Sequence, residues 1–167
     1  MRLRSIVSIA FLCVVATAAP ALAEVKTTDV LGRWHNDQIW MLARGAEDCS
    51  GGKCSLTLDI VACGDSWCGI EVNENNTCGA TALRFDAGKL TGMADGVLFS
   101  GKLELARGTE PYVVEAHMQP AGDGTPMQLS MTGDTGGEFR VFRRSFPFNA
   151  TLARTGEATC KLEKPVS

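Results

Sequence analysis

The sequence predicts an all-β protein, an antiparallel meander of about eight to ten strands closed into a barrel and stapled by disulfides. Apolar and polar residues alternate with a period of two along most of the chain after residue 29, as in strands with one buried face. Glycine-rich turn clusters separate these segments. Six cysteines follow an N-terminal export signal, which favours a disulfide framework. A two-sheet sandwich is the alternative, but barrel closure removes exposed sheet edges.

The individual strands are predicted from this alternation. Four segments show it most clearly: Leu56–Ile60, Val97–Leu105, Val114–Gln119 and Met127–Thr132. Five segments show it less well: Gln38–Ala43, Trp67–Val72, Ala82–Phe85, Phe139–Arg143 and Asn149–Arg154. Helical spacing of apolar residues is seen only over Asp29–Leu42, around Trp34. The chain therefore reads as strands joined by tight turns.

The first 23 residues have the features of a secretory signal peptide. Arg2 and Arg4 form a basic start, an apolar run extends from Ile6 to Ala19, and Ala21-Leu22-Ala23 is a small-x-small cleavage pattern. Cleavage after Ala23 divides the chain into a signal peptide, 1–23, and a single β-barrel domain, 24–167. The apolar run is shorter than the ~20 residues of a membrane span. We therefore expect a periplasmic or secreted protein without a stable membrane anchor.

The charge of the mature chain limits its partners. Removing 23 of the 167 residues takes away two arginines, so the formal net charge falls from −3 to −5. An acidic chain with scattered basic residues has no electrostatic basis for binding nucleic acid or anionic membranes. No dinucleotide-binding G-x-G-x-x-G loop and no P-loop occur in the sequence. We expect no cofactor, and a basic partner fits the charge best.

The cysteine spacing predicts three disulfides. Cys63 and Cys68 flank a four-residue hairpin loop and can face each other across it. Cys49 and Cys54 are spaced in the same way, and elimination leaves the pair Cys78–Cys160. Six cysteines allow 15 connectivities. A zinc site built from the two C-x4-C pairs is the rival interpretation, but thiolate sites need reduced thiols.

Two further motifs resemble a known group of proteins. Gly32-Arg33-Trp34 near the mature N-terminus and Leu152-Ala153-Arg154 near the other end are similar to the Gly-x-Trp and closing arginine of calycin (lipocalin-like) barrels. The Cys63-Gly64…Cys68-Gly69 hairpin resembles a family of small exported bacterial proteins described only as a domain of unknown function. The resemblance implies a calycin-like barrel, an extracytoplasmic location and an arginine that packs over Trp34. It implies no activity.

One loop and two histidines are the candidate functional features. Trp67, with Asp65 and Ser66, lies at the tip of the Cys63–Cys68 hairpin and would form a rigid recognition knob. Alternatively, Trp67 folds back and covers the end of the barrel. His35 and His117 are the only histidines, and with Glu115 they are the candidates for an acid–base or metal cluster. No G-x-S-x-G motif is present, so we predict no catalytic residue and no metal ligand.

These observations predict a non-enzymatic binding protein. It captures either a small apolar ligand or another protein, and an inhibitor of lysozyme or of a protease belongs to the second class. A ligand-binding barrel requires an interior cavity, with Met93, Met118, Met127 and Met131 as its expected lining. A structural or envelope-stress protein without a ligand is one alternative. A hydrolase with an unrecognised site is another, and it requires one of the two histidines to lie beside a carboxylate in a cleft.

Overall fold

A computed structural model of the chain describes residues 25–41, 54–86, 88–91, 96–105, 110–122, 124–135 and 146–162. They form one short 3-10 helix, Thr27–Val30, and nine strands. The strands are β1 (Gly32–Met41), β2 (Cys54–Cys63), β3 (Ser66–Val72), β4 (Cys78–Phe85), β5 (Lys89–Thr91), β6 (Gly96–Leu103), β7 (Tyr112–Gln119), β8 (Gln128–Asp134) and β9 (Pro147–Gly156). The predicted signal peptide, 1–23, lies outside the described residues. The all-β prediction is confirmed.

The strands form a closed antiparallel barrel. Their order in the sheet is β4-β3-β2-β1-β9-β8-β7-β6-β5, and pairing of β4 with β6 joins the two ends of this order. At the closure, Leu83 is paired with Leu103 and Phe85 with Gly101. The short strand β5 pairs with β6 beside this ring of eight. The barrel prediction is therefore confirmed, and the two-sheet sandwich is not observed.

The clearest predicted strands all form, but the helical stretch does not. The segments around Leu56, Val97, Val114 and Met127 lie in or next to β2, β6, β7 and β8. Residues 32–41 form β1, because pairing with β2 on one side and β9 on the other satisfies their backbone groups. Three of the weaker segments lie in β3, β4 and β9, and Phe139–Arg143 lies outside the described residues.

The barrel interior is filled by apolar side chains from every strand of the ring. They belong to one continuous cluster whose largest fully buried members are Trp34, Phe85, Phe99, Phe148, Ile39, Leu58, Ile60, Leu83, Leu103, Met118, Leu129 and Met131. Of the methionines expected to line a cavity, Met118 and Met131 are thus core residues. Met127 is half-buried against the same cluster, and Met93 lies outside the described residues.

The 3-10 helix and Arg154 cover one end of this core. The indole Nε1 of Trp34 donates a hydrogen bond of 2.7 Å to the carbonyl of Val30, the last residue of the helix. Arg154 is the register partner of Trp34 on β9, and its Nη2 donates to the carbonyl of Leu31 at 3.0 Å. The closing arginine implied by the calycin resemblance is therefore paired with Trp34, although a barrel of this kind does not by itself establish the family.

The C-terminal segment covers part of the outer wall. Its Cys160 and Leu162 pack with outward-facing residues of β2 and β3, namely Val61, Ile70 and Val72, as a second apolar cluster. A disulfide between Cys160 and Cys78 fixes this segment to β4. The part of the β2–β3 wall around Val61 and Ile70 is thus covered on its outer face as well.

The cysteines are disulfide-bonded in the described part of the chain. Cys63–Cys68 and Cys78–Cys160 are two of the three predicted pairs. Cys54 is also disulfide-bonded, and its predicted partner, Cys49, lies outside the described residues. Disulfides indicate an oxidising compartment. No group of three or more metal-ligating side chains occurs among the described residues, and none of their helices has the length and hydropathy of a membrane span.

Candidate functional site

A polar groove of about 590 Å³ lies at the outer wall where β1, β2 and β3 meet. One side comes from β1 and β9, the other from the end of β3 and the loop that follows it. Its lining residues are Arg33, His35, Ser55, Leu56, Thr57, Glu71, Val72, Asn73, Glu74, Asn76 and Thr155. This groove brings together more titratable and hydroxyl side chains than two smaller cavities, one beside Cys78 and Leu162 and one at the β3–β4 loop. We call it the β1–β3 groove.

An ion pair between Arg33, which lines the groove, and Asp59 lies at the edge of the groove. The two residues are register partners on β1 and β2, so their side chains lie on the same face. Nε of Arg33 donates to Oδ1 of Asp59 at 2.7 Å, and Nη2 donates to Oδ2 at 2.9 Å. Such two-pronged pairing fixes the position of both side chains. The Asp59 side chain is 0% exposed and that of Arg33 is 19% exposed.

The C-terminal segment completes the shell around Asp59. The backbone N–H groups of Thr159 and Cys160 each donate to Oδ2 at 2.8 Å. Burial raises the pKa of Asp59, but the hydrogen bonds from Arg33, Cys160 and Thr159 outweigh it and lower the pKa to about 2. The hydrogen bond between Arg33 and Asp59 raises the pKa of Arg33. Alternation along β2 predicted Asp59 on a solvent face, which is wrong because the C-terminal segment covers it.

A carboxylate, an imidazole and a hydroxyl are linked in a chain along the groove. His35 Nε2 lies 2.7 Å from Oδ1 of Asp37, and His35 Nδ1 lies 2.8 Å from Oγ1 of Thr57. An ionised carboxylate only accepts hydrogen bonds, so the tautomer that fits both contacts has the proton on Nε2 and accepts from Thr57 at Nδ1. The side chain of His35 is 39% exposed and that of Asp37 is 81% exposed, so this row of hydrogen-bonded groups is open to solvent.

A bulge-like irregularity in β1 positions Asp37. The pairing of β1 with β2 shifts register between Asn36 and Ile39. At this point Asn36 Oδ1 accepts a hydrogen bond from the backbone N–H of Gln38 at 2.7 Å, and Asn36 Nδ2 donates to the carbonyl of Thr151 on β9. Bulges redirect side chains and are enriched next to functional sites. Here the bulge leaves Asp37 facing the imidazole two residues before it.

The loop between β3 and β4 forms the far rim of the groove. Asn73 Nδ2 donates to Oγ1 of Thr77 at 3.0 Å, and the Asn73 backbone N–H donates to the carbonyl of the same residue at 2.9 Å. Asn76 has a φ of 59°, a left-handed conformation that asparagine tolerates. Its Oδ1 accepts from Arg33 Nη1 at 3.3 Å. The ion pair therefore also holds this rim in place.

The unbalanced charges at the groove are negative. The charge of Arg33 is matched by Asp59, whereas Glu71 and Glu74 line the groove and form no ion pair with another described residue. The exposed carboxylate of Asp37 lies at its edge. Burial raises the pKa of Glu71, because desolvation disfavours its ionised form. A cation bound nearby would favour that form, so the groove suits a positively charged group.

The predicted recognition loop lies elsewhere, at the hairpin between β2 and β3. Trp67 is half-buried and its ring contacts Phe99 edge-on, with a centroid distance of 5.5 Å and an interplanar angle of 83°. Ser66 Oγ donates to the carbonyl of Cys63 at 3.1 Å, and Asp65 is exposed in the turn. Trp67 thus packs against the barrel core. Partner binding by Asp65, Ser66 and Trp67 stays a prediction.

The two histidines are not brought together. His35 is on β1 and His117 on β7, with β9 and β8 between them in the sheet. The candidate cluster of His35, His117 and Glu115 therefore does not form among the described residues. Sequence reasoning missed Thr57 and Asp37 as the partners of His35. Asp37 was visible as an i, i+2 neighbour, but Thr57 is 22 residues away and becomes a neighbour only through the β1–β2 register.

Comparison with known proteins adds no assignment to this geometry. The chain matches no protein-family model, no curated protein and no solved structure. The function therefore has to be inferred from the groove, the barrel and the disulfides.

Proposed function

We propose that this protein is an extracytoplasmic binding protein that recognises a basic partner protein through the β1–β3 groove. A disulfide-containing β-barrel is compatible with a secreted binding protein. The observation that carries the proposal is the groove itself, a polar concavity whose wall is held by the Arg33–Asp59 pair and the Cys78–Cys160 disulfide. A recognition surface fixed in advance loses little conformational entropy on binding, so more of its contact energy appears as affinity.

Electrostatics favours a basic partner over other classes. Glu71, Glu74 and Asp37 place carboxylates at the groove, while the guanidinium of Arg33 is neutralised by Asp59. Lysine or arginine side chains complement such a surface, and complementary charge accelerates association and suppresses wrong partners. The acidic balance of the chain, −3 overall, acts in the same direction.

The packed interior favours the outer wall over the barrel as the place of recognition. Small-ligand sites are concave and largely pre-formed. Met118 and Met131, two of the residues expected to line a cavity, are fully buried in the main apolar cluster. Capture of a small apolar ligand among the described core residues would require side chains to move apart. We therefore prefer protein recognition to the small-ligand alternative.

The proposal is tested with a defined basic protein rather than with an extract. Purified lysozyme is titrated into the protein by calorimetry at about 50 mM and about 300 mM salt. We expect weaker binding at the higher salt, because the Debye length is shorter there and the attraction between opposite charges is screened. Glu74→Gln should weaken binding about threefold to tenfold at low salt, as for a charge at the rim of an interface. Other basic secreted enzymes extend the panel in the same format.

A matched control makes the result specific to the groove. Glu115→Gln removes the same charge from β7, where Glu115 is exposed on another part of the barrel wall. This variant should bind like the wild type. Equal affinities for the wild type, Glu74→Gln and Glu115→Gln, or binding of no basic protein in the panel, would contradict the proposal.

A further inference from the structure

The chain of Asp37, His35 and Thr57 has the order of groups that acyl-transfer chemistry requires. A nucleophile needs a base within hydrogen-bond reach, and the base needs a third group that fixes its tautomer. Thr57 Oγ1 lies 2.8 Å from His35 Nδ1, and Asp37 Oδ1 lies 2.7 Å from His35 Nε2. His35 and Thr57 also line the β1–β3 groove, so a substrate can reach them. A histidine beside a carboxylate in a cleft is the condition set above for a hydrolase.

We propose that these three hydrogen-bonded side chains form an acyl-transfer site for carboxylic esters, with Thr57 as nucleophile and His35 as general base. Thr57 Oγ1 attacks the ester carbonyl carbon while its proton passes to His35 Nδ1. The tetrahedral intermediate collapses, the carbon–oxygen bond to the leaving group breaks, and the departing alcohol takes the proton from His35. Water then attacks the acyl-Thr57 carbonyl carbon while its proton passes to His35. The bond from that carbon to Thr57 Oγ1 breaks, Oγ1 takes the proton from His35, and the carboxylic acid is released. Asp37 is a positioning residue that holds the Nε2–H tautomer.

The developing negative charge on the carbonyl oxygen needs a hydrogen-bond donor. Asn76 lines the same groove and receives the Arg33 hydrogen bond on Oδ1, so its Nδ2 donors are turned away from Arg33. No described residue accepts a hydrogen bond from this Nδ2. We assign Asn76 as the donor to the oxyanion, because amide side chains supply such donors. Asn76→Asp keeps an acceptor for Arg33 and removes the donors.

This inference is independent of the proposed binding function. Removal of the Thr57 hydroxyl would leave the carboxylates of Glu71 and Glu74 in place. Acyl transfer is measured by ester hydrolysis without lysozyme, and binding is measured by lysozyme titration without ester. Failure of one proposal is thus distinguishable from failure of the other.

The test uses 4-nitrophenyl acetate with the full mature chain. We expect hydrolysis by the wild type, and about 100-fold lower kcat/KM for Thr57→Val and for His35→Gln, the lower end of the range for general-base catalysis. Thr57→Ser keeps a hydroxyl and should stay within about threefold of the wild type, which separates lost chemistry from lost folding. Asp37→Asn should lower kcat with little change in KM, because an asparagine amide donates to Nε2 and favours the wrong tautomer. Asn76→Asp should lower kcat also.

Three checks distinguish catalysis by Thr57 from ester hydrolysis by a free imidazole or by another residue. A free imidazole hydrolyses activated esters slowly without a hydroxyl, so a wild-type rate in Thr57→Val would overturn the proposal. His117→Gln removes the other histidine and should leave the rate unchanged. Acid-quenched protein should carry an added acetyl group on the peptide that contains Thr57. An acetyl group only elsewhere, or none at all, would also overturn the proposal.

Discussion

Arg33 and Asp59 are 26 residues apart in the chain and form a two-pronged ion pair between adjacent strands, with donor–acceptor distances of 2.7 and 2.9 Å. The pair links three parts of the molecule. Arg33 also donates to Asn76 in the β3–β4 loop and to Thr159 Oγ1 at 2.8 Å, and Asp59 accepts from two backbone N–H groups of the C-terminal segment. The groove wall and the C-terminal cover therefore depend on the same two side chains.

Asp59→Ala should strongly destabilise the protein. The substitution leaves Arg33 without its counter-ion and the N–H groups of Thr159 and Cys160 without their acceptor. Removing one member of a buried ion pair costs about 3–5 kcal/mol, and the partial exposure of Arg33 places this case near about 3 kcal/mol. Urea unfolding with the disulfides intact measures it. Asp65→Ala, in an exposed turn, should stay within about 0.5 kcal/mol of the wild type, and equal effects of the two variants would contradict the assignment.

The same carboxylate should make stability depend on pH in acid. The pKa of Asp59 is about 2 in the folded protein against 3.8 for an ordinary aspartate. The unfolded chain therefore binds the proton more readily, and the stabilisation is complete above pH ~4 and lost as the pH falls towards the folded value. We expect a loss of about 2 kcal/mol between pH ~5 and pH ~2. The free energy of unfolding of Asp59→Asn, measured in parallel, should lack this component, and parallel curves for the two proteins would refute it.

The two described disulfides should differ in their contribution to stability. Cys78–Cys160 closes a loop with a sequence separation of 82, whereas Cys63–Cys68 spans a separation of 5. Chain entropy then predicts a loss of about 4 kcal/mol for the double variant Cys78→Ser/Cys160→Ser and about 2 kcal/mol for Cys63→Ser/Cys68→Ser. Thermal and urea unfolding of the two double variants compare them directly. A larger loss for the short loop would show that loop-closure entropy does not determine the difference.

The fold was predictable because it follows from patterns within short segments of the sequence. Period-two alternation identified most strands of the ring, but not the start of β1, where the apolar spacing favoured a helix. A four-residue spacing identified the Cys63–Cys68 staple. The groove was not predictable in the same way. Its contacts between Arg33 and Asp59 and between His35 and Thr57 exist only because β1 and β2 pair in one particular register. Asp59 also reads as a solvent-facing residue until the C-terminal segment is seen to cover it.

Gly32 should be required where the chain enters β1. Its φ is +138°, and an added Cβ would lie 2.8 Å from both the carbonyl oxygen of Gly156 and Nε of Arg154. Gly32→Ala should therefore destabilise by more than about 1 kcal/mol, since both the conformation and the space are unfavourable. Gly156→Ala is the matched control, because no other atom lies within 4 Å of its added Cβ. Circular dichroism at increasing temperature gives both values, and similar melting of the two variants would count against this requirement.

Trp67 should behave as a core residue in stability measurements, whatever its hairpin binds. Its ring on β3 is half-buried and contacts Phe99 in the main apolar cluster, whereas Trp40 near the end of β1 is 36% exposed. Trp67→Ala should cost about 3 kcal/mol, the low end for a large aromatic side chain removed from a core. Trp67→Phe keeps the aromatic contact and should recover more than half of that loss. Trp40→Ala removes an equal volume and should cost less than about 1 kcal/mol. Equal losses for Trp67→Ala and Trp40→Ala in urea unfolding would mean that Trp67 is not held by the barrel core and is free to act as a recognition knob.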